Sequence, residues 1–98
     1  MKIKLKKFGK TLTSRDSGRE AYKAIQKQLE EIKNDQKIIL DFSGVNTFTP
    51  SWGDEFITNL SRKFGQNLVL IKSENPSVIA TLELLSEIHN IEFNYKII

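Results

Sequence analysis

Ile38-Ile-Leu-Asp41-Phe-Ser-Gly-Val45-Asn-Thr-Phe-Thr-Pro50-Ser51-Trp-Gly-Asp54-Glu55-Phe56 is the stretch whose reading decides the fold. Lys37 to Phe42 is an apolar run of the kind expected for a central strand covered on both faces. A short loop with one glycine and small polar residues follows. Pro50 to Phe64 then reads as a helix. Trp52, Phe56, Leu60 and Phe64 recur every four residues, and Ile57 widens the stripe. Gly65 is a natural stop.

Working outward, Lys2 to Phe8 alternates at Ile3 and Leu5 and reads as a half-buried strand. Its lysines suit an exposed edge, where charge discourages pairing with other chains. Ser17 to Asn34 is predicted as a helix, with Tyr22, Ile25, Leu29 and Ile32 on one face and Ser17 with Glu20 as a capping box. On the other side, Leu68-Val-Leu-Ile71 is a second central strand. Asn75-Pro76 starts a third helix with Val78, Leu82, Leu85 and Ile88 inward, ended by Asn90. Ile91, Phe93, Tyr95 and Ile97 alternate with polar residues in a last, half-exposed strand. The order is β-α-β-α-β-α-β. It predicts one compact α/β domain over residues 1–98, a four-stranded, largely parallel or mixed sheet packed by three helices.

Composition narrows the function. The 98 residues suffice for a single core. There is no cysteine, so disulfides, thiolate metal sites and thiol catalysis are excluded. A net charge of +3 is a small basic excess for a nucleic-acid binder. Lys2, Lys4, Lys6, Lys7 and Lys10 form a basic strand without an aromatic platform for stacked bases. Met1 runs directly into Lys2-Ile-Lys-Leu-Lys-Lys, and no apolar run approaches membrane-spanning length. A cytoplasmic protein without membrane or nucleic-acid partners is the expectation.

Few residues point to chemistry. Ser51 stands at a helix start, where unpaired N–H groups and the dipole favour negative charge. Two registers compete there. Thr49 caps with Pro50 as the first helical residue, leaving the Ser51 hydroxyl free, or Ser51 itself caps with Asp54 as the capping-box acid. Asp54 and Glu55 suit the first helical turn on dipole grounds alone. Asp41 ends a central strand, where it either faces a ligand or binds loop amides near Gly44. Ser14, Arg15 and Arg19, before and inside the first helix, form a candidate anion site with none of the spacing of a P-loop. His89, the only histidine, suits the dipole at the end of the third helix. No catalytic constellation, metal site or cofactor motif is assembled from these residues, so a non-enzymatic role is expected.

The segment Leu40-Asp-Phe-Ser-Gly-Val-Asn-Thr-Phe-Thr-Pro-Ser-Trp-Gly-Asp-Glu-Phe56 resembles the signature of a STAS-like bacterial family of unknown function, related to the STAS domains of anti-sigma-factor antagonists. Phe8-Gly9, Ser14-Arg15 and Gly18 are similar to that family's N-terminal portion, so the resemblance covers about the first two-thirds of the chain. In the antagonists, a serine after the corresponding strand is phosphorylated by a partner kinase, and the helix behind it docks on that partner. Ser51 matches that position by strand-to-helix spacing. Thr49, Pro50, Ser51 and Trp52 stand where the antagonists carry Asp-Ser-Ser-Gly. The resemblance implies a regulatory interaction module and a histidine-kinase-type ATPase or anti-sigma-like partner. It also implies a phospho-acceptor at Ser51 and a partner surface of Asn46, Thr47, Thr49, Ser51, Asp54 and Glu55. The alternative is a nucleotide- or anion-binding domain using Arg15, Arg19 and the helix N-termini. An enzyme ranks third and a nucleic-acid binder fourth.

Overall fold

The computed structural model describes residues 1–33 and 35–97. In chain order its elements are β1 (Lys2–Lys4), β2 (Thr11–Leu12), α1 (Arg15–Glu30), β3 (Ile38–Asp41), β4 (Thr47–Phe48), α2 (residues 50–64), β5 (Leu68–Ile71), α3 (Pro76–His89) and β6 (Asn94–Lys96). The main sheet is wholly parallel, in the order β1-β3-β5-β6. The single α/β unit of four main strands and three helices is the one read from the sequence.

The strand order determines where the core lies. Each crossover steps to the next position in the same direction. Right-handed connections then place every helix on one face of the sheet. The register agrees. Ile3, Leu40 and Leu70 share one row, and with Ile38 and Leu68 they are buried in the core under the helices. Lys2, Ile39, Val69 and Asn94 share the next row and point the other way. On that opposite face Ile39 and Ile71 are only half-buried, and neither they nor Val69 belong to the main core. The expectation that the central strands are covered on both faces is therefore corrected. Their apolar runs are explained by lateral packing of Ile39, Val69 and Ile71 on the uncovered side.

Other boundaries shift for local reasons. The first strand ends at Lys4, because a 3-10 turn over Leu5–Phe8 buries Leu5 and carries Phe8 toward Trp52 and Phe56, with ring centroids 6.1 and 5.5 Å away. Helix α1 begins at Arg15, not Ser17. Ser14 is its cap, its Oγ accepting from the Ser17 N–H at 3.0 Å, so the Ser17–Glu20 capping box is replaced. The helix ends at Glu30, which leaves Ile32 half-buried beyond it; Asn34 lies outside the described residues. Helix α2 is one continuous rod of three pieces, Pro50–Gly53, a π-helical turn Asp54–Thr58, and Asn59–Phe64. In α3 the inward Ile88 is corrected: it is 62% exposed. A small parallel pair, β2 with β4, had no signal in the sequence, being two residues long on each side.

Candidate functional site

The loop after β3 is braced from two sides. Asp41 Oδ1 accepts from the Ser43 N–H at 2.9 Å, and Lys2 Nζ lies 3.9 Å from the same carboxylate. The Ser43 bond is the main reason the Asp41 carboxyl titrates below its ordinary range, with Lys2 and Lys4 adding to it. Asp41 is thus a loop-organising residue. Further along, the Asn46 and Thr47 N–H groups both donate to Lys10 O, at 2.8 and 3.1 Å, and the Thr49 N–H donates to Leu12 O at 3.0 Å. From the other side α3 takes hold. Asn75 Nδ2 donates to Val45 O at 2.8 Å and to Asn46 O at 3.1 Å. The Phe48 N–H donates to Ser77 Oγ at 2.8 Å, and the Thr81 hydroxyl donates to Phe48 O at 2.6 Å. Asn46 and Thr47 remain exposed at the surface of this rigid loop.

At the start of α2 the structure selects one register. Thr49 is the cap and Pro50 the first helical residue. The Thr49 Oγ1 accepts a long hydrogen bond from the Trp52 N–H at 3.5 Å and donates to Thr13 O at 2.7 Å. Ser51 is therefore released from capping. It is half-buried on the first turn, and among the described residues its hydroxyl makes no hydrogen bond.

One turn further, Asp54 and Glu55 open the π-helical turn. They do not stand free. Arg15 Nη1 lies 3.1 Å from Asp54 Oδ2 and 3.4 Å from Glu55 Oε1. Arg19 reaches Glu55 Oε1 at 3.2 Å and Asp16 at 3.0 Å. His89 Nε2, arriving from the end of α3, lies 2.7 Å from Asp54 Oδ1. An ionised carboxylate only accepts, so this ring nitrogen donates. Burial pushes the Asp54 carboxyl up, but hydrogen bonds from Arg15 and then His89 outweigh it and hold it below its usual range. The Thr58 hydroxyl adjoining this site is fully buried and forms no hydrogen bond of ordinary geometry, so Arg15 and His89 are the partners that matter. The same pairing raises the Arg15 guanidinium, first through Asp54 and then Glu55. Six charged or ionisable side chains from three helices, Arg15, Asp16, Arg19, Asp54, Glu55 and His89, thus form one cluster, and Asp54 bridges α1 to α3 through it.

The structure brings Asp54 and Glu55 into one cluster with Arg15 and Arg19, and sets Ser51 one helical turn before Asp54. It does not assemble Ser14, Arg15 and Arg19 as an open anion cradle. The Ser14 Oγ is used in capping, and both arginines are turned to carboxylates. The neighbouring hollow is lined by Phe8, Asp16, Ser17, Glu20, Ala21 and Ala24, an acidic rim. Among the described residues no three His, Asp or Glu side chains converge as metal ligands. Sequence reasoning missed the partnership of His89 with Asp54, the bracing by Asn75, Ser77 and Thr81, and the π-helical turn. Only the Asn-Pro-Ser cap of α3 carried a local signal.

A family model described as a STAS-like domain of unknown function (DUF4325) matches residues 17–78, well over half of the 98. The chain belongs to this STAS-like family. The matched stretch contains the braced loop, Ser51, Asp54 and Glu55, and Gly18, where α1 crosses α2. A STAS-like domain suggests a regulatory module of the anti-sigma-factor-antagonist type. Searches of curated proteins and of solved structures find no match to this chain. Among the described residues no helix is long and apolar enough to cross a membrane.

Proposed function

We propose that this chain is a non-enzymatic regulatory interaction module, acting in the cytoplasm on a histidine-kinase-type ATPase, with Ser51 as its phospho-acceptor. The observation that carries the reading is the state of Ser51. Its hydroxyl is released from capping by Thr49 and stands at the first turn of a helix held rigidly between α1 and α3. The surface offered to a partner is the exposed rim of the loop, Asn46 and Thr47, together with Thr49, Ser51 and the outward edges of Asp54 and Glu55.

The chemistry follows from charge. Transfer of the γ-phosphoryl group of ATP to Ser51 Oγ releases ADP and the hydroxyl proton. It adds about −1.5 to −2 charge to that surface. The helix dipole favours this charge while Asp54 opposes it, so the larger consequence falls on the partner, which must then desolvate or repel it. A nucleotide or anion site on Arg15 and Arg19 draws less support, because both arginines already hold carboxylates.

The test is incubation with ATP and such an ATPase, followed by mass spectrometry. The expected result is one added phosphate on the peptide containing Ser51 and none on the Ser51→Ala protein. Phosphate placed elsewhere, or nowhere, removes Ser51 as the acceptor.

A further inference from the structure

Two unpartnered surfaces of this fold are complementary to each other. The first is the sheet face that no helix covers. It carries Ile39 and Ile71, both half-buried, along the two central strands with Val69 buried between them, and with Lys2 and Lys4 on one flank and Lys96 on the other. Asp41 on this face is paired with Lys2, so the surface is basic. The second is the outer side of α3. That helix carries large apolar residues beyond the stripe it buries in the core. Val78, Leu82 and Leu85 face the core, yet Leu84 and Ile88 are 40% and 62% exposed on the outer side, in line with Ala80. Glu83 and Glu87 run beside this stripe, and α3 contains no lysine or arginine.

We propose that a second copy of this chain docks the outer side of its α3 onto the uncovered sheet face, giving head-to-tail self-association. Apolar stripe meets apolar strip, and Glu83 and Glu87 meet Lys4 or Lys96. The dimensions agree: from Ala80 to Ile88 the stripe runs roughly 12 Å at helical rise, against roughly 10–13 Å for strands of three or four residues. The contact turns a two-layer fold into the helix-sheet-helix arrangement that parallel sheets ordinarily adopt. Charge selects this pairing over a symmetric one, because α3 against α3 opposes glutamates and sheet against sheet opposes lysines. The two patches differ, so the contact is heterologous and does not close on itself at two copies. A patch of this size gives weak, concentration-dependent association.

The test is sedimentation of the intact chain from about 10 μM to about 1 mM, a range set by the affinity of small interfaces. Two double variants are compared with it: Leu84→Ser/Ile88→Ser, which removes the helix stripe, and Lys4→Glu/Lys96→Glu, which reverses the sheet flanks. All four positions are exposed, and circular dichroism verifies that each variant is folded. Wild type should gain mass with concentration and lose it in about 1 M salt, where screening shortens to about 3 Å. Each variant alone should associate at least about tenfold more weakly. Mixed in equal amounts, the variants should form a complex that stops at two chains, since each retains one intact surface. A wild type that stays monomeric throughout overturns the proposal. So does a folded variant that associates like wild type, or a mixture that does not associate.

Discussion

Trp52 is the side chain around which the helical layer packs. It is 1% exposed, stacks on Phe56 with centroids 4.9 Å apart, and meets Phe8 and Phe48 at 6.1 and 5.8 Å. Trp52→Ala should therefore cost about 3–5 kcal/mol in denaturant unfolding, as a large core truncation does. A variant with unchanged stability would mean that the ring is displayed, not buried. Asp54 sets the acid response of the same region. Its folded carboxyl titrates below the ordinary value of about 3.9, so its contribution is complete above that pH. The contribution is lost as pH falls through the folded value. Asp54→Asn should cost about 1–2 kcal/mol at pH 7, and the difference from wild type should shrink toward zero as the solution is acidified below about pH 4. A pH-independent difference in unfolding free energy would remove the ion pairs as its cause. Burial of Trp52 was legible from the four-residue period of Trp52, Phe56 and Leu60. The partnership of Asp54 with His89 was not, because 35 positions separate them and only the placement of α3 beside α2 brings them together.

Among the elements, α2 carries the site and depends on how closely its neighbours approach. Gly18 of α1 lies against it: a Cβ there would stand 2.6 Å from the Trp52 carbonyl oxygen and 3.0 Å from its Cα. Both contacts are backbone and cannot rotate aside. Gly18→Ala gains up to about 1 kcal/mol of helix propensity, yet it should destabilise the protein by about 1–3 kcal/mol by forcing α1 and α2 apart. Chemical denaturation decides the sign, and a stabilised variant would contradict this crossing. The π-helical turn is the other special feature of α2. The Asn59 Nδ2 donates to Glu55 O at 2.6 Å, bonding a carbonyl of the widened turn, while Phe56, Ile57 and Thr58 are all buried. Such turns are often found at functional sites. The existence and order of the helices were readable from periodicity and from Pro50, Gly65, Pro76 and Asn90. The π-helical turn was not, because the same stripe of apolar residues fits an ordinary helix. Capping was half legible: Thr49 and Asn75 perform the roles their residue types suggest, whereas Ser14 displaced Ser17 because the helix begins one turn earlier.

For the whole molecule, strand order matters most, and local patterns do not encode it. Sequential order with parallel pairing leaves one sheet face bare, and the apolar runs at Ile38–Asp41 and Leu68–Ile71 gave no warning. On the helix-covered side the loop after β3 is clamped between Lys10 and Asn75, and Ser51, the proposed acceptor, stands on a helix packed between α1 and α3. A rigid, pre-formed surface loses little entropy on binding, so on the proposed reading a single added charge would be felt by a partner and not absorbed by loop motion. An acid at Ser51 should leave the fold intact, changing stability by only about 0.3–1 kcal/mol. Calorimetric titration of wild type, Ser51→Ala and Ser51→Asp against a histidine-kinase-type ATPase domain, the proposed partner, tests the account most directly. Wild type and Ser51→Ala should bind alike, and a folded Ser51→Asp should bind at least about tenfold more weakly; equal affinities for all three proteins, or no binding by wild type, would contradict it.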